Sequence, residues 1–437
     1  MEYDILVIGA GILGLSCAYH LKKNNPNKEI LVIDRFRAVA QGNTARSNAL
    51  FRNTFTSPDN QILSDTSIDF YIDMQKSAVD LGIRKTGYLW LQSERELSLN
   101  ERHVQKMEDE GIELRKYDRG ELERMLPLMR TKLTSEESRL MQLEDVVGGV
   151  FGVKCGRIDP DKLSRFYAGE FVRIGGKIVL DTNVKKLIVE PNQPLGIDGE
   201  PFVWQESRVT GVVVEGQMQG EIRAGTIVIA AGVWNNELLD PIGIDGHVKG
   251  KKRQLFTISA GSSPDLRSLI HNKSFNAIGV LPFVILPKSG CYVKALEENN
   301  EFWVACEDDI NRPFINVPER DLETYKAEPS YFEQNVYRIL KEYFPPFENS
   351  KPNQMWAGLY SYNTLDMIPF VFVESGMIIA GGGSGSGIMK GDAMGRIVDA
   401  VYRLGENGEA TLYGGKKYPI HKLGFESRQV EREEWII

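Results

Sequence analysis

Cysteine and histidine are scarce in this sequence. The four cysteines, Cys17, Cys155, Cys291 and Cys306, lie far apart with no CxxC pair, which argues against a zinc site and against a disulfide framework. No apolar run reaches the roughly 18 to 20 residues that span a bilayer, because Gly, Pro or charge interrupts the longest ones. Basic charge is not in excess: 52 Lys and Arg stand against 60 Asp and Glu, a net charge of −8, so the basic surface that a nucleic-acid partner requires is missing. Met1-Glu2-Tyr3-Asp4 carries neither the basic flank nor the small-residue cleavage site of a signal peptide. These absences point to a cytoplasmic globular protein without a metal centre. The 437 residues, 42% hydrophobic and 26% charged, suffice for two substantial domains.

Residues Tyr3 to Ile8 read as a buried parallel strand, Ile12 to Lys23 as a helix, and Glu29 to Asp34 as a second strand. A helix is predicted between Ile62 and Leu81, a strand at Tyr88 to Leu91 and a charged helix at Glu94 to Glu110. Asp159-Pro160 opens a further helix that ends at Gly175-Gly176, before strands at Lys177 to Leu180 and Val184 to Val189. Alternating runs follow at Arg208 to Val214 and Thr226 to Ala231. Ala277 to Glu307 is rich in strand signals, a long helix is predicted near Leu322 to Tyr343, and Gly376 to Ala380 is a last buried strand before a helix through Met394 and Val401. No internal repeat or low-complexity linker interrupts the chain.

The opening carries the clearest chemical signal. Gly9-x-Gly11-x-x-Gly14 lies between the first strand and the first helix, and Asp34 ends the second strand twenty residues beyond Gly14. Gly9 permits the turn, Gly11 lets the backbone approach a pyrophosphate, Gly14 lets helix and strand pack closely, and the helix N-terminus offers unsatisfied N–H groups to the phosphates. Asp34 is placed to take ribose hydroxyls, and an acid there disfavours a 2′-phosphate, which leaves FAD or NAD. A second glycine-dense turn, Gly381-Gly382-Gly383-Ser384-Gly385-Ser386-Gly387-Ile388, opens the last helix. Its N–H groups suit the negative charge at the N1–C2=O edge of a reduced flavin, which favours FAD.

With these motifs in view, together with Gly156-Arg157-Ile158-Asp159-Pro160, the run Thr226 to Trp234, Arg253-Gln254 and Gly358 through Asp366, the chain resembles the D-amino-acid oxidase superfamily of FAD-dependent oxidoreductases, in its sarcosine oxidase and glycine oxidase branch. The resemblance spans nearly the whole length. It implies an α/β fold, α+β overall, in which a Rossmann-like FAD-binding domain assembled from 1–85, 150–235 and 352–437 carries an interposed mixed or antiparallel-sheet substrate domain from 86–149 and 236–351. It adds FAD contacts at Ile12, Arg35, Arg46, Ser47, Val184, Ala231, Gly232, Trp234, Gly383, Ser384, Gly385, Ser386, Gly387 and Ile388 to those at Gly9, Gly11, Gly14 and Asp34. Arg52 matches the position that holds a substrate carboxylate, and Lys390 lies one residue from the place of a lysine near the flavin, which strict spacing gives to Met389.

The departures carry information too. Leu359 stands where a covalently flavinylated relative has Cys, so the FAD is expected to be non-covalent. Trp303 falls where oxidases carry an oxygen-activating lysine, which favours a dehydrogenase. Ala49 replaces a companion to Arg52. Lys249-Gly250-Lys251-Lys252-Arg253 reads as a solvated loop, with a phosphate-bearing substrate or a docking acceptor as the alternative. Tyr360 and Tyr362 lie beside the ring or pack in the core. Among the histidines, His20, His103 and His421 have other settings and Ser386 replaces a His of relatives, leaving His247 and His271 as candidate bases.

The leading expectation is therefore oxidation of a CH–NH bond in a small anionic or zwitterionic amino acid such as sarcosine, proline or glycine, because a neutral amine yields hydride without a strong base. Electrons then pass to a quinone, a dye-like carrier, a protein or oxygen. A glycerol-3-phosphate or 2-hydroxy-acid dehydrogenase feeding a quinone is the first alternative, and a non-catalytic FAD-binding electron-transfer subunit the second. Trp435-Ile436-Ile437 is expected to pack against the protein, with peripheral contact at the cytoplasmic membrane face, and homo-oligomer formation, left open.

Overall fold

The computed structural model describes residues 1–307, 312–315, 326–426, 428–430 and 433–435. The first strand, Glu2–Ile8, is buried from Ile5 onward on both faces, as a central parallel strand of β-branched and leucine side chains must be. It pairs in parallel with Ile30–Ile33 on one side and Gly220–Ile229 on the other. Lys177–Val179 extends the sheet beyond Ile30–Ile33, Met377–Gly381 extends it beyond Gly220–Ile229, and Phe370–Glu374 closes that edge antiparallel. Thr182–Pro191 and Ser207–Gly216 add an antiparallel meander to Gly220–Ile229.

The helices Ile12–Asn24, Pro160–Arg173 and Gly391–Leu404 cover one face. Gly14 sets how close the first helix comes: a Cβ there would stand 1.9 Å from the carbonyl oxygen of Gly9. A buried polar cluster joins the same helices, with His20 Nε2 2.8 Å from Asp392 Oδ1 and the Tyr167 hydroxyl 3.1 Å from it. Burial lowers the His20 pKa against the opposing pull of Asp392.

A second, mixed sheet runs in the order Gln354–Tyr362, Lys249–Ser259, Glu301–Ala305, Tyr292–Leu296, Phe283–Ile285, Tyr88–Gln92, Gly148–Gly152 and Leu114–Asp118. Its pairs are antiparallel except Phe283–Ile285 with Tyr88–Gln92. The α/β architecture with an interposed mixed sheet is thus present. The predicted Lys249 to Arg253 loop is instead the start of an eleven-residue strand, because alternate side chains find partners on its two faces: Lys252 bonds Glu328 at 2.7 Å and Arg253 bonds the Tyr362 hydroxyl at 2.9 Å. Of the long helix predicted near Leu322, residues 322–325 lie outside the described ones, and the described part runs from Pro329 to Tyr343 with a π-helical stretch at Phe332–Val336. Met377–Gly381 is not the last strand, since Glu409–Thr411 and Lys417–Pro419 pair beyond it. No helix among the described residues is long and apolar enough to cross a membrane.

Gly14→Ala tests the packing directly. The added methyl would meet backbone rather than a yielding side chain, so we expect a loss of about 2–3 kcal/mol, read as a lower midpoint in chemical unfolding.

Candidate active site

The strand order reverses at Glu2–Ile8, whose two neighbours lie on opposite sides and lead away in opposite directions. A crevice forms beyond the strand ends at such a point. Gly9, Gly11, Ile12, Asp34 and Arg35 line it, and Gly14 stands behind it as the contact between helix and strand. Gly11 is the helix N-cap with no side-chain cap and no acid in the first turn, so the positive end of the helix faces the crevice. Asp34 accepts from the Ala10 N–H at 2.6 Å and the Phe36 N–H at 2.8 Å. Burial raises its pKa, with those two bonds opposing. The remaining lone pairs of the carboxylate are available to a ligand hydroxyl.

Val184, Ala231, Gly232 and Trp234 form the wall beyond Asp34. Arg35 lies 4.3 Å over the Trp234 ring and 3.4 Å from Glu237. In the other direction the crevice passes Arg46 and Ser47 and reaches Gly383, Ser384, Gly385, Gly387 and Ile388. This second glycine turn is shaped by contact: Gly385 has φ +83° and a Cβ there would lie 2.5 Å from the Tyr360 ring. The strand Gln354–Tyr362 clamps the middle of the crevice and its second glycine turn. Its Leu359 N–H donates to Asn43 Oδ1 at 2.8 Å, its Ala357 carbonyl accepts from Arg46 at 3.1 Å, and its Ser361 carbonyl accepts from the Ser384 N–H at 2.9 Å. Along the crevice, Asn48 Oδ1 and Trp234 Nε1 are buried with no hydrogen-bond partner among the described residues. An elongated polar ligand that reaches from the uncapped helix to the second turn fits these groups.

Past Asn48 and Tyr360 the crevice meets a second cavity of ≈ 90 Å³, well below the roughly 300–1,000 Å³ of pockets for drug-sized ligands. Its wall includes Arg52, Phe55, Asn60, Tyr88, Arg253, Tyr292, Tyr360, Tyr362, Ser386 and Glu433. The Tyr88 hydroxyl is buried without a partner among the described residues. Arg52 is buried, stacks 4.2 Å over Phe55, and donates to the carbonyls of Thr54 at 2.6 Å and Trp435 at 2.9 Å. Each terminal nitrogen of a guanidinium keeps a second N–H for another acceptor. Lys390 is fully buried at the end of the glycine turn, between crevice and cavity. It donates to Asn60 Oδ1 at 2.6 Å and Ser386 Oγ at 2.5 Å. Burial pushes its pKa down to about 7, helped by Arg52 and opposed by Glu433 and Asp366.

The structure therefore places Arg52 and Ser386 at this cavity, Lys390 on the crevice wall bonded to Ser386, and the other predicted positions along the crevice or, for Gly14, directly behind it. The candidate bases are not among them. His247 lies 3.9 Å from the Phe425 ring, His271 is an exposed helix C-cap, and no histidine lines the crevice or cavity among the described residues. Sequence reasoning missed Asn48, Asn60, Tyr88, Tyr292 and Glu433. Asn60 lies ahead of the helix start predicted at Ile62, and Glu433 lies in an acidic stretch just before the apolar end; neither carries a spacing signal. Trp435 packs 5.2 Å from Trp90, as expected of the apolar end, while Glu431, Arg432, Ile436 and Ile437 lie outside the described residues.

If the crevice holds a dinucleotide, Asp34→Asn should lose a ribose acceptor and confront the Ala10 N–H with an amide. We expect cofactor retention to fall by about tenfold or more, measured as visible absorbance per protein after gel filtration.

A family model described as FAD dependent oxidoreductase matches residues 4–400. The FAD-dependent oxidoreductase domain-containing protein 1 of Bos taurus is 24% identical over 421 residues, covering 90% of this chain and 80% of that protein. Among solved structures, the L-proline dehydrogenase from P.horikoshii superposes with a TM-score of 0.71 at 21% identity, covering 92% of this chain and 93% of that one. The glycine oxidase from Geobacillus kaustophilus gives a TM-score of 0.69 at 17% identity, covering 92% and 95%. The chain is thus an enzyme that belongs to the FAD dependent oxidoreductase family, with FAD as its cofactor.

Proposed function

We propose that this enzyme oxidises the CH–NH bond of a small amino acid, such as sarcosine, proline or glycine, with FAD held non-covalently along the crevice. The observation that carries this reading is the small cavity at the second glycine turn, where buried Arg52 faces a wall of aromatic side chains, buried Lys390 stands behind the wall residues Asn60 and Ser386, and no histidine is present among the described residues. A carboxylate matches the cations, the volume admits only a small body, and a neutral amine needs no strong base. Bound FAD supplies the hydride acceptor. Arg52 and Lys390 hold the substrate carboxylate, Tyr88 donates or accepts at a second polar atom, and the aromatic wall excludes water. Leu359, buried in the clamping strand, offers no thiol for flavin attachment.

The L-proline dehydrogenase and glycine oxidase likenesses support an amino-acid substrate in this reading and divide on the acceptor. We favour a dehydrogenase because the family resemblance puts the oxidases' lysine near Trp303. One structural fact bears on that choice: Lys294, on the strand paired with Trp303, lies 4.1 Å over its ring and donates to the Asn48 carbonyl at 2.6 Å. Burial, then Arg157, pushes its pKa down to about 7. Slow reoxidation of the reduced enzyme in air supports the dehydrogenase; fast reoxidation makes it an oxidase with its lysine on the neighbouring strand.

Anaerobic bleaching of the flavin by sarcosine, D- or L-proline or glycine is the expected result in a panel that includes D- and L-hydroxy acids and glycerol 3-phosphate. Bleaching by glycerol 3-phosphate or a hydroxy acid alone would overturn the amine reading, and a flavin that no compound bleaches would favour a binding subunit. With the reactive amino acid, Arg52→Lys is expected to raise KM by about tenfold to a hundredfold while leaving FAD content unchanged. Loss of FAD would instead assign Arg52 to the cofactor.

A further inference from the structure

The two cations of the cavity are tied to one stretch of chain that lies more than 370 residues from Arg52 in sequence. Glu433 is 4% exposed and lines the cavity. Its Oε1 accepts from the Thr56 N–H at 2.9 Å, the Thr56 hydroxyl at 2.8 Å and the Trp435 N–H at 3.0 Å. Its Oε2 accepts from the Ser57 N–H at 3.1 Å and Asn60 Nδ2 at 3.3 Å. The carboxylate thus sits at the start of the helix Pro58–Lys76, where the exposed N–H groups favour an anion. Burial pushes its pKa up, but Arg52 and the Thr56 and Ser57 bonds outweigh this and hold it below the ordinary glutamate value.

Two connections leave this anchor. Asn60 turns its amide N–H toward Glu433 and its oxygen toward Lys390, which in turn reaches Ser386 in the glycine turn. Trp435, locked beside Trp90, presents its carbonyl to Arg52. We propose that Glu433 is a positioning residue of the active site: through Asn60 it fixes Lys390 against the glycine turn, and through the 433–435 segment it fixes Arg52 for carboxylate capture. A carboxylate that only capped a helix would not need to lie in the cavity wall or share an amide with the cavity's lysine. The charged groups that face Lys390 are Glu433, Arg52 and Asp366, and Asp366 is already paired with Arg428 at 2.6 Å. Glu433 is thereby the acid whose removal changes Lys390 most directly.

The inference rests on the reading that Lys390 and Arg52 receive a carboxylate, and the test separates the two. Acetate, a carboxylate with no oxidisable amine, is titrated into the FAD-loaded enzyme across a pH series, and binding is followed as a shift of the visible flavin band. In the unaltered enzyme the acetate affinity is expected to fall as pH rises through about 7, where Lys390 loses its proton. Glu433→Gln keeps the size of the side chain and removes the charge that favours the protonated lysine. Its midpoint should move to lower pH by about one unit, which at neutral pH is about fivefold weaker acetate binding through loss of the protonated lysine, with FAD content unchanged. Asn60→Leu leaves the Thr56, Ser57 and Trp435 contacts of Glu433 in place and removes both the Glu433 and the Lys390 bonds of Asn60, so it should show the same direction of shift, and an unmoved midpoint overturns the link if Glu433→Gln does not fold. Midpoints in both variants equal to that of the unaltered enzyme would overturn the positioning role and leave the carboxylate reading standing. An unaltered enzyme whose flavin band acetate never shifts would overturn both.

Discussion

The site depends on one strand serving two structures. Gln354–Tyr362 is paired along its length with Lys249–Ser259 in the mixed sheet, yet its far edge bonds Asn43, Arg46 and the Ser384 turn, which line the crevice. Backbone and amide bonds of this kind are short, directional and costly to leave unmade once buried. They set the distance between the sheets, and the cavity exists only in the gap that distance leaves. Tyr360 and Tyr362, on this strand, are wall and clamp at once, and the close contact between Gly385 and the Tyr360 ring fixes the second turn against the same strand.

Into that gap the fold buries positive charge. An ammonium without a carboxylate partner in an apolar setting is expensive, and a group so placed lowers its pKa before it unfolds the protein. Lys390 follows that rule: its two hydrogen-bond acceptors are neutral, and its pKa is pushed down to about 7. Glu433 tempers the cost by lying close without taking a direct bond. A full ion pair would satisfy the lysine and leave nothing for a substrate; no acid at all would leave it neutral. On the proposed reading the intermediate arrangement suits an incoming anion, at the expense of local stability.

What could be read in the sequence followed from short-range physics. Gly9, Gly11, Gly14 and Asp34 act within one strand–helix–strand unit, so their spacing alone indicates the crevice, and Asp159-Pro160 marks a helix start because a cap acts within one turn; the helix read from Ile62 to Leu81 instead spans Pro58–Lys76, opened by the Ser57 cap. The second glycine turn was legible for the same reason. Lys249 to Arg253 misled because charge density in a window suggests solvent, whereas a strand of period two sends alternate cations to different partners. Asn60, Tyr88 and Glu433 carry no local signature, since their roles arise only when three remote segments meet. Lys294 is the same case across a strand pair: register, and not sequence position, brings it over Trp303.

The absence of a histidine from the described walls is coherent with the rest of the site on the proposed reading. An amino acid in water carries a protonated amine, which cannot release hydride from its α-carbon until the proton is gone. Arg52 and Arg253 line the small aromatic cavity together with Glu307 and Glu433, and Lys390 stands on the adjoining crevice wall; on this reading desolvation and the cations favour the neutral form of an amine. The same cations stabilise the carboxylate at the other end of the molecule. One arrangement therefore binds the zwitterion by its anion and weakens the hold of its cation on the proton, so that binding prepares the amine and no separate strong base is required. An alcohol gains nothing comparable, because its hydroxyl proton is released at far higher pH and needs a positioned acceptor.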